Sequence, residues 1–440
     1  MSRVLHRSTA TPPIAASGQG ILLRLADGTE VIDASGGAAV ACLGHGNARV
    51  AAAIAAQAGK MAYAHTGFFT SEPAEALAEF LLADEPGGLS HAYFCSSGSE
   101  GNEAALKLAR QYFVERGEPN RTKYIGRRQS YHGNTLGALG IGGNMARRAI
   151  YEPILAGAFS HVSPCFPYRF QNPGETDAQY VDRLAAELEA EFQRLGPANV
   201  IGFFAETMVG ATTGCVAALP GYFQRVREIC DRHGALLILD EVMCGMGRLG
   251  MMHAWEREGI APDIQIIAKG LGGGYQPIGG ILIARRVVES LRSGTGAFTH
   301  GHTYQAHPVA CAAALEVQRI IRDDHLLENV QAMGARLEAA LTERFGNHRF
   351  VGDIRGHGLF WALEFVSDRA TKAVFDPALK INDRIKRECL AGGLAVYPMG
   401  GTIDGKQGDH VIVAPPYIAT AANIDQIVDR LGAAVDAATT

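Results

Sequence analysis

Along the middle of this chain, short apolar runs alternate with amphipathic stretches at intervals of about 30 residues, a rhythm that few folds satisfy. The runs lie at 92–95, 124–125, 200–205, 235–239, 264–268 and 281–284 and lack clean polar alternation, as strands covered on both faces do. Between them fall helix candidates. In the clearest, Tyr222, Phe223, Val226, Ile229 and Cys230 share one face after Pro220, and Gly234 supplies the stop. Strand, helix, strand in this order predicts βαβ units, a mostly parallel sheet between helices, and an active site beyond the carboxyl ends of the strands.

Past His307 and Pro308 the rhythm breaks. An alanine-rich helix is expected over 309–322 and a second over 326–345, while apolar segments at 359–365 and 411–413 follow. Together with the N-terminal segment these predict a smaller α+β unit. The expected division is a large α/β domain at 61–319 and a discontinuous small domain at 1–60 and 320–440. At 440 residues, 47% of them hydrophobic, the chain buries a large core without staples.

Charge and cysteine content exclude several classes of function. Forty basic against 45 acidic side chains leave a formal charge of -5 with no basic cluster, so nucleic acid is not an expected partner. The longest uncharged stretch, 207–224, is broken by Gly210, Gly214 and Pro220, which argues against a membrane-spanning helix. Eight cysteines are scattered without a CxxC pair, so neither a metal site nor a disulfide framework is expected and a reducing cytoplasm fits. Arg3, Arg7 and Arg24, with no acid before Asp27, faintly imitate a targeting segment, but no apolar stretch follows and Pro12 and Pro13 break any helix there.

Three strand ends carry charge. The run before Asp240, the run before Glu206 and the run before Lys269 each place an ionised group at the end of an apolar strand, where burial costs several kcal/mol unless a partner compensates. Each alone also reads as a strand end meeting solvent. The turn 96–103, rich in serine and glycine, precedes a helix whose Leu106, Ala109, Tyr112 and Phe113 form an apolar stripe. Free backbone N–H groups at such a helix start suit a phosphate, although capping by Ser99 would account for the same residues. Tyr131, His132 and Gly133 follow a strand in a loop where an aromatic ring can stack on a planar ligand, and glycines crowd beside Lys269 at 270 and 272–274. Gly245, Gly247 and Gly250 match G-x-G-x-x-G in letters only, since no phosphate-binding helix is expected after them. A phosphate cradle, a stacking ring, a buried aspartate and a lysine are together what pyridoxal phosphate requires.

Read in order, these motifs resemble the class III pyridoxal-phosphate-dependent aminotransferases, of fold type I, over nearly the whole chain. The resemblance is carried by Asp27-Gly28, Ile32-Asp33, Gly44-His45-Gly46, the run from Ser96 to Asn102, Tyr131-His132-Gly133, Glu206, Asp240-Glu241-Val242, Gly247 to Gly250, Ala268-Lys269-Gly270, Gly301 to Tyr304, His307-Pro308, Arg355-Gly356 and Pro415-Pro416. It implies a large, mostly parallel α/β domain with a smaller α+β domain. It also implies that Lys269 forms the Schiff base with the cofactor and shuttles the proton, and that Asp240 pairs with the pyridine nitrogen. Val242 and Tyr131 would flank the ring, Gly98 and Ser99 would hold the phosphate, and Glu206 would lie on the phenolic side. Thr303 would reach the phosphate of a neighbouring subunit, so that a homodimer, in some cases paired into a tetramer, completes the site. The implied reaction is ping-pong transfer of an amino group from a small-molecule amine or amino acid to a keto acid. Aminomutases, racemases and decarboxylating dialkylglycine-type enzymes share these cofactor motifs, so they stay open as alternatives.

Members that accept 2-oxoglutarate commonly carry an arginine three residues before the paired prolines and an acid a few residues after the glutamate that matches Glu206. Here those positions are Ile412 and Ala211. That resembles the amine or ω-amino acid:pyruvate branch, so pyruvate or another small keto acid is the expected acceptor. Lys406, His410 and Arg248 are the remaining candidates to meet a carboxylate, each also readable as a surface or structural residue.

Overall fold

A computed structural model describes residues 3–7 and 11–439. Its centre is a seven-stranded sheet in the order Leu89–Cys95, Gly279–Ala284, Ile264–Ile267, Leu236–Asp240, Val200–Glu206, Lys123–Arg127, Phe159–Val162. Gly279–Ala284 runs antiparallel to both its neighbours, and the other pairings are parallel. Two reversals restore the direction of Leu89–Cys95, so its carboxyl end points to the same edge as the other parallel strands. All six expected runs belong to this sheet. Every residue of Val200–Glu206, Leu236–Asp240 and Ile264–Ile267 is buried, which is why these strands show no alternation.

Helices cover both faces. Leu106, Ala109 and Phe113 of Gly98–Glu115 pack with Ile238, Ile266 and Ile281 on one face, while Tyr180, Leu184, Val226 and Cys230 pack with Phe203, Leu237 and Leu239 on the other. The helix expected after Pro220 spans Tyr222–Arg232, with Gly234 at φ +61° just beyond it, as a helix-ending glycine requires. Close approach of Gly98–Glu115 to the sheet depends on Gly101, where a Cβ would lie 3.1 Å from the Gly280 carbonyl oxygen.

The later helices are Pro308–Asp323 and Leu326–Phe345. Two four-stranded sheets accompany them. One pairs Ala15–Gln19, Leu22–Leu25, Glu30–Asp33 and Leu394–Ala395, and the other orders Val351–His357, Phe360–Phe365, Asp409–Val413 and Tyr397–Gly400. A single apolar cluster joins Ile21, Ile32 and Val50 to Leu337, Leu363, Val411 and Leu431, so the N-terminal segment shares its core with the C-terminal third. Pro308–Asp323 serves both sides, giving Ala310 and Ala314 to the large sheet and Val317 and Ile321 to this second core. Among the described residues no helix is long and apolar enough to cross a membrane.

Candidate active site

The carboxyl edge of the sheet opens into a cleft of about 370 Å³, lined among others by Gly98, Ser99, Tyr131, Glu206, Asp240, Val242 and Lys269. Strand register explains how such distant residues meet. Asp240 and Glu206 are direct partners on adjacent parallel strands, and Asp240 also stands opposite Ile266, three residues before Lys269. Of the residues expected to form a site, only Thr303 lies outside this lining. It is exposed, and its carbonyl accepts a hydrogen bond from the Tyr63 hydroxyl at 2.8 Å.

Lys269 begins a short 3-10 turn with φ +47°, a left-handed backbone that costs a non-glycine residue about 1–2 kcal/mol. The turn is pinned from behind: the Gln318 amide donates to the carbonyls of Gly270 and Leu271 at 3.0 and 2.9 Å. Burial lowers the Lys269 ammonium to about 8, and the Asp240 and Glu206 carboxylates work in the opposite direction. The amine is therefore available as a base near neutrality.

Asp240 is almost fully buried, and its carboxylate is held from three sides. The His132 Nδ1 lies 2.8 Å from Oδ2, the Asn102 amide donates to the same oxygen at 3.2 Å, and the Val242 N–H donates to Oδ1 at 3.0 Å. Oδ1 keeps capacity for one further donor from the cleft. Glu206 accepts from the N–H groups of Tyr131 and Gly210, each at 3.0 Å. Burial raises its carboxyl; the Asp240 charge adds to this and His132 opposes it.

At the other wall the helix Gly98–Glu115 starts with its backbone donors facing the cleft. Its N-cap is Ser97, which accepts from Glu100 N–H; Ser99 sits inside the first turn and accepts from Asn134 N–H at 3.2 Å. The reading of Ser99 as the cap is thus corrected: helical phase begins two residues earlier, which frees Ser99 to line the cleft. A Cβ on Gly98 would stand 3.0 Å from Val242 Cγ2, so glycine lets the helix start and Val242 share one space without displacing the valine.

His132 and Asn102 line the cleft and bond Asp240, and the sequence suggested no role for either. Asn102 follows Gly98 by one helical turn and bonds its carbonyl at 2.8 Å, a spacing that was a usable signal. His132 stands beside Tyr131 in a motif read for its aromatic ring alone. Other candidates go elsewhere. Arg248 is fully buried and donates to the carbonyls of Leu359 and Pro415, Lys406 is exposed, and burial pushes His410 down to about 3. The glycines at 245, 247 and 250 form tight turns followed only by the short turn Ala254–Glu256, so no phosphate-binding helix starts there.

The residues present fit pyridoxal phosphate. A helix start bearing Gly98 and Ser99 suits its phosphate, Asp240 has an open acceptor position for the ring nitrogen, Val242 offers an apolar ring contact, and Lys269 supplies an amine of lowered basicity.

Comparison with known proteins agrees. The family model "Aminotransferase class-III" matches residues 5–435. An uncharacterized aminotransferase of Schizosaccharomyces pombe is 51% identical over 420 residues, covering 96% of this chain and 92% of that one. A diaminobutyrate–2-oxoglutarate transaminase of Halomonas elongata is 35% identical, covering 97% and 90%, and a putrescine–pyruvate aminotransferase of Pseudomonas aeruginosa is 32% identical, covering 94% and 88%. The solved structure of the omega transaminase from Pseudomonas jessenii in complex with PMP superposes with a TM-score of 0.93 at 32% identity, covering 99% and 96%. The chain thus belongs to the class III aminotransferases of fold type I and is a pyridoxal-phosphate-dependent enzyme.

Proposed function

We propose that this aminotransferase moves an amino group from an amine or from an ω- or β-amino acid to a small keto acid such as pyruvate, by a ping-pong mechanism in which the donor's product leaves before the acceptor binds. The observation that carries the reading is the meeting of Lys269 and Asp240 in one cleft with the start of the helix Gly98–Glu115. When bound, pyridoxal phosphate supplies an aldehyde that takes up the amine and a protonated ring that draws electrons from the substrate carbon.

The chain's own residues do the rest. Lys269 holds the cofactor covalently and, once displaced by substrate, moves the proton at the reacting carbon; its lowered basicity suits both tasks. Asp240, fixed by His132 and Asn102, keeps a negative charge against the ring nitrogen. Gly98 and Ser99 bind the phosphate at the helix start. Tyr131 and Val242 flank the ring, and Glu206 orients its phenolic side. Thr303 completes the site of a neighbouring subunit in a homodimer, a role its exposure permits. The division into a large domain at 61–319 and a small one at 1–60 and 320–440 is supported by the separate apolar clusters. A reducing cytoplasm suits eight cysteines that are all unpaired and buried.

The acceptor is read from Ala211 and Ile412. Both sit in one apolar cluster with Met243, a residue of the cleft wall, so neither position brings a charge to this side. The relatives named above include one named for 2-oxoglutarate and one named for pyruvate, so relatedness does not choose between them. Single-turnover rates from the pyridoxamine form should be higher with pyruvate than with 2-oxoglutarate; the reverse order overturns the acceptor assignment. Transfer is favoured over the aminomutase, racemase and decarboxylase alternatives if keto product accumulates only in the presence of an added acceptor.

A further inference from the structure

One cation beside the cleft has no acidic partner among the described residues. Arg147, on the short helix Met145–Arg148, stacks its guanidinium over the Tyr131 ring at 4.8 Å from the centroid, and its side chain takes part in no ion pair with a described residue. Its neighbour Arg148 shows the contrast: it is buried, bonded to Glu152 at 3.1 Å and to the carbonyls of Gly140 and Gly142 at 2.7 Å, and so is committed to structure. Arg147 is only partly buried and keeps all its donors except those turned to the ring face.

Tyr131 lines the cleft, and its hydroxyl accepts from the Asn134 amide at 3.2 Å, which fixes the ring on which Arg147 rests. A guanidinium held over an aromatic face by a cation–π contact keeps N–H groups free for a planar anion. Tyr397, the cross-strand partner of Ile412, and Arg7 also lie within electrostatic reach of the Tyr131 hydroxyl. Burial raises the Tyr131 phenol, opposed first by Arg147, so this hydroxyl stays protonated and able to donate at neutral pH.

We propose that Arg147, seated on Tyr131, binds the carboxylate of the substrate at a point remote from the reacting carbon, so that ω-amino acids are preferred as donors over amines of the same length that lack a carboxylate. This rests on the aminotransferase reading above and narrows its donor class. Ala211 and Ile412 sit in an apolar cluster with Met243, so neither position supplies a cation for a carboxylate.

The test compares 4-aminobutyrate with n-butylamine in the first half-reaction, followed by cofactor absorbance in single turnovers, so that no keto acid enters. The holoenzyme should prefer 4-aminobutyrate, and Arg147→Ala should reduce that preference by about 10- to 100-fold, the span of a charge-assisted hydrogen bond. Arg147→Lys should restore part of it. Binding of propionate, an unreactive carboxylate, is measured separately by its effect on the cofactor spectrum and should weaken in the alanine variant by a similar factor. An unchanged preference, or equal loss with both donors, overturns the proposal. If neither donor reacts with the unaltered holoenzyme, the donor class proposed above fails, whereas unaltered propionate affinity in Arg147→Ala refutes the role of Arg147 itself.

Discussion

His132 Nδ1 lies 2.8 Å from Asp240 Oδ2, with both side chains buried and the imidazole set edge-to-face against Phe204. The histidine holds Oδ2 of Asp240 and also lines the cleft, so it orients the carboxylate that would meet the ring nitrogen. His132→Ala should leave the buried carboxylate short of a partner and weaken pyridoxal phosphate binding about 10-fold or more, as loss of a charge-assisted bond implies. Equilibrium dialysis of the apoenzyme measures this, and His132→Asn, which keeps a donor, should recover part of the affinity. Lower thermal stability with unchanged cofactor affinity would show that the pair is only structural.

Lys269 makes a pH prediction with a definite sign. An exposed lysine changes charge near 10.4, whereas burial lowers this one to about 8. Only the neutral amine attacks an aldehyde, so the rate at which apoenzyme captures pyridoxal phosphate should rise with pH and level off above about 8. Asp240 stabilises the ammonium, so Asp240→Asn should move that inflection to lower pH. Stopped-flow absorbance between pH 6 and 10 reads both. Lys269→Ala should remove covalent capture and turnover alike while leaving the fold intact.

Much of this site was legible in the sequence because parallel strands deliver their last residues to one edge. Glu206, Asp240 and Lys269 each end an apolar run, and register does the rest. What the runs do not reveal is facing. Glu241 looks as promising as Asp240 in the sequence, yet adjacent strand residues point to opposite sides. Its carboxylate accepts from Thr207, Gln265 and the N–H groups of Ala254 and Trp255, closing a loop outside the cleft lining, with burial raising it to about 7. The strand Phe159–Val162 was missed for a related reason: at the sheet edge it is only partly covered, so it carries Ser160 and His161 and breaks the apolar signal. Nor does sequence distance announce that Gln318 pins the lysine turn, since that contact depends on how Pro308–Asp323 packs.

Glu364 carries the third prediction, about stability. It is fully buried on the strand Phe360–Phe365 and meets two arginines: Arg169 Nε at 2.5 Å and Arg355 Nη1 at 2.7 Å. Arg355 also donates to the carbonyls of Thr213 and Gly214, so this carboxylate links the C-terminal sheet to the loop that follows Glu206. Asp353 compensates part of the Arg355 charge, but no second acid pairs with Arg169 among the described residues. Glu364→Gln keeps the shape and removes the charge, leaving a buried guanidinium without a counter-ion, a loss of about 3–5 kcal/mol. Urea unfolding should show the lowered midpoint. Arg169→Met combined with Glu364→Gln should cost less than the sum of the two single changes, because the second removes the group that the first left unpaired. Strict additivity would mean that the two side chains do not interact, and the link between sheet and loop would then rest on Arg355 alone.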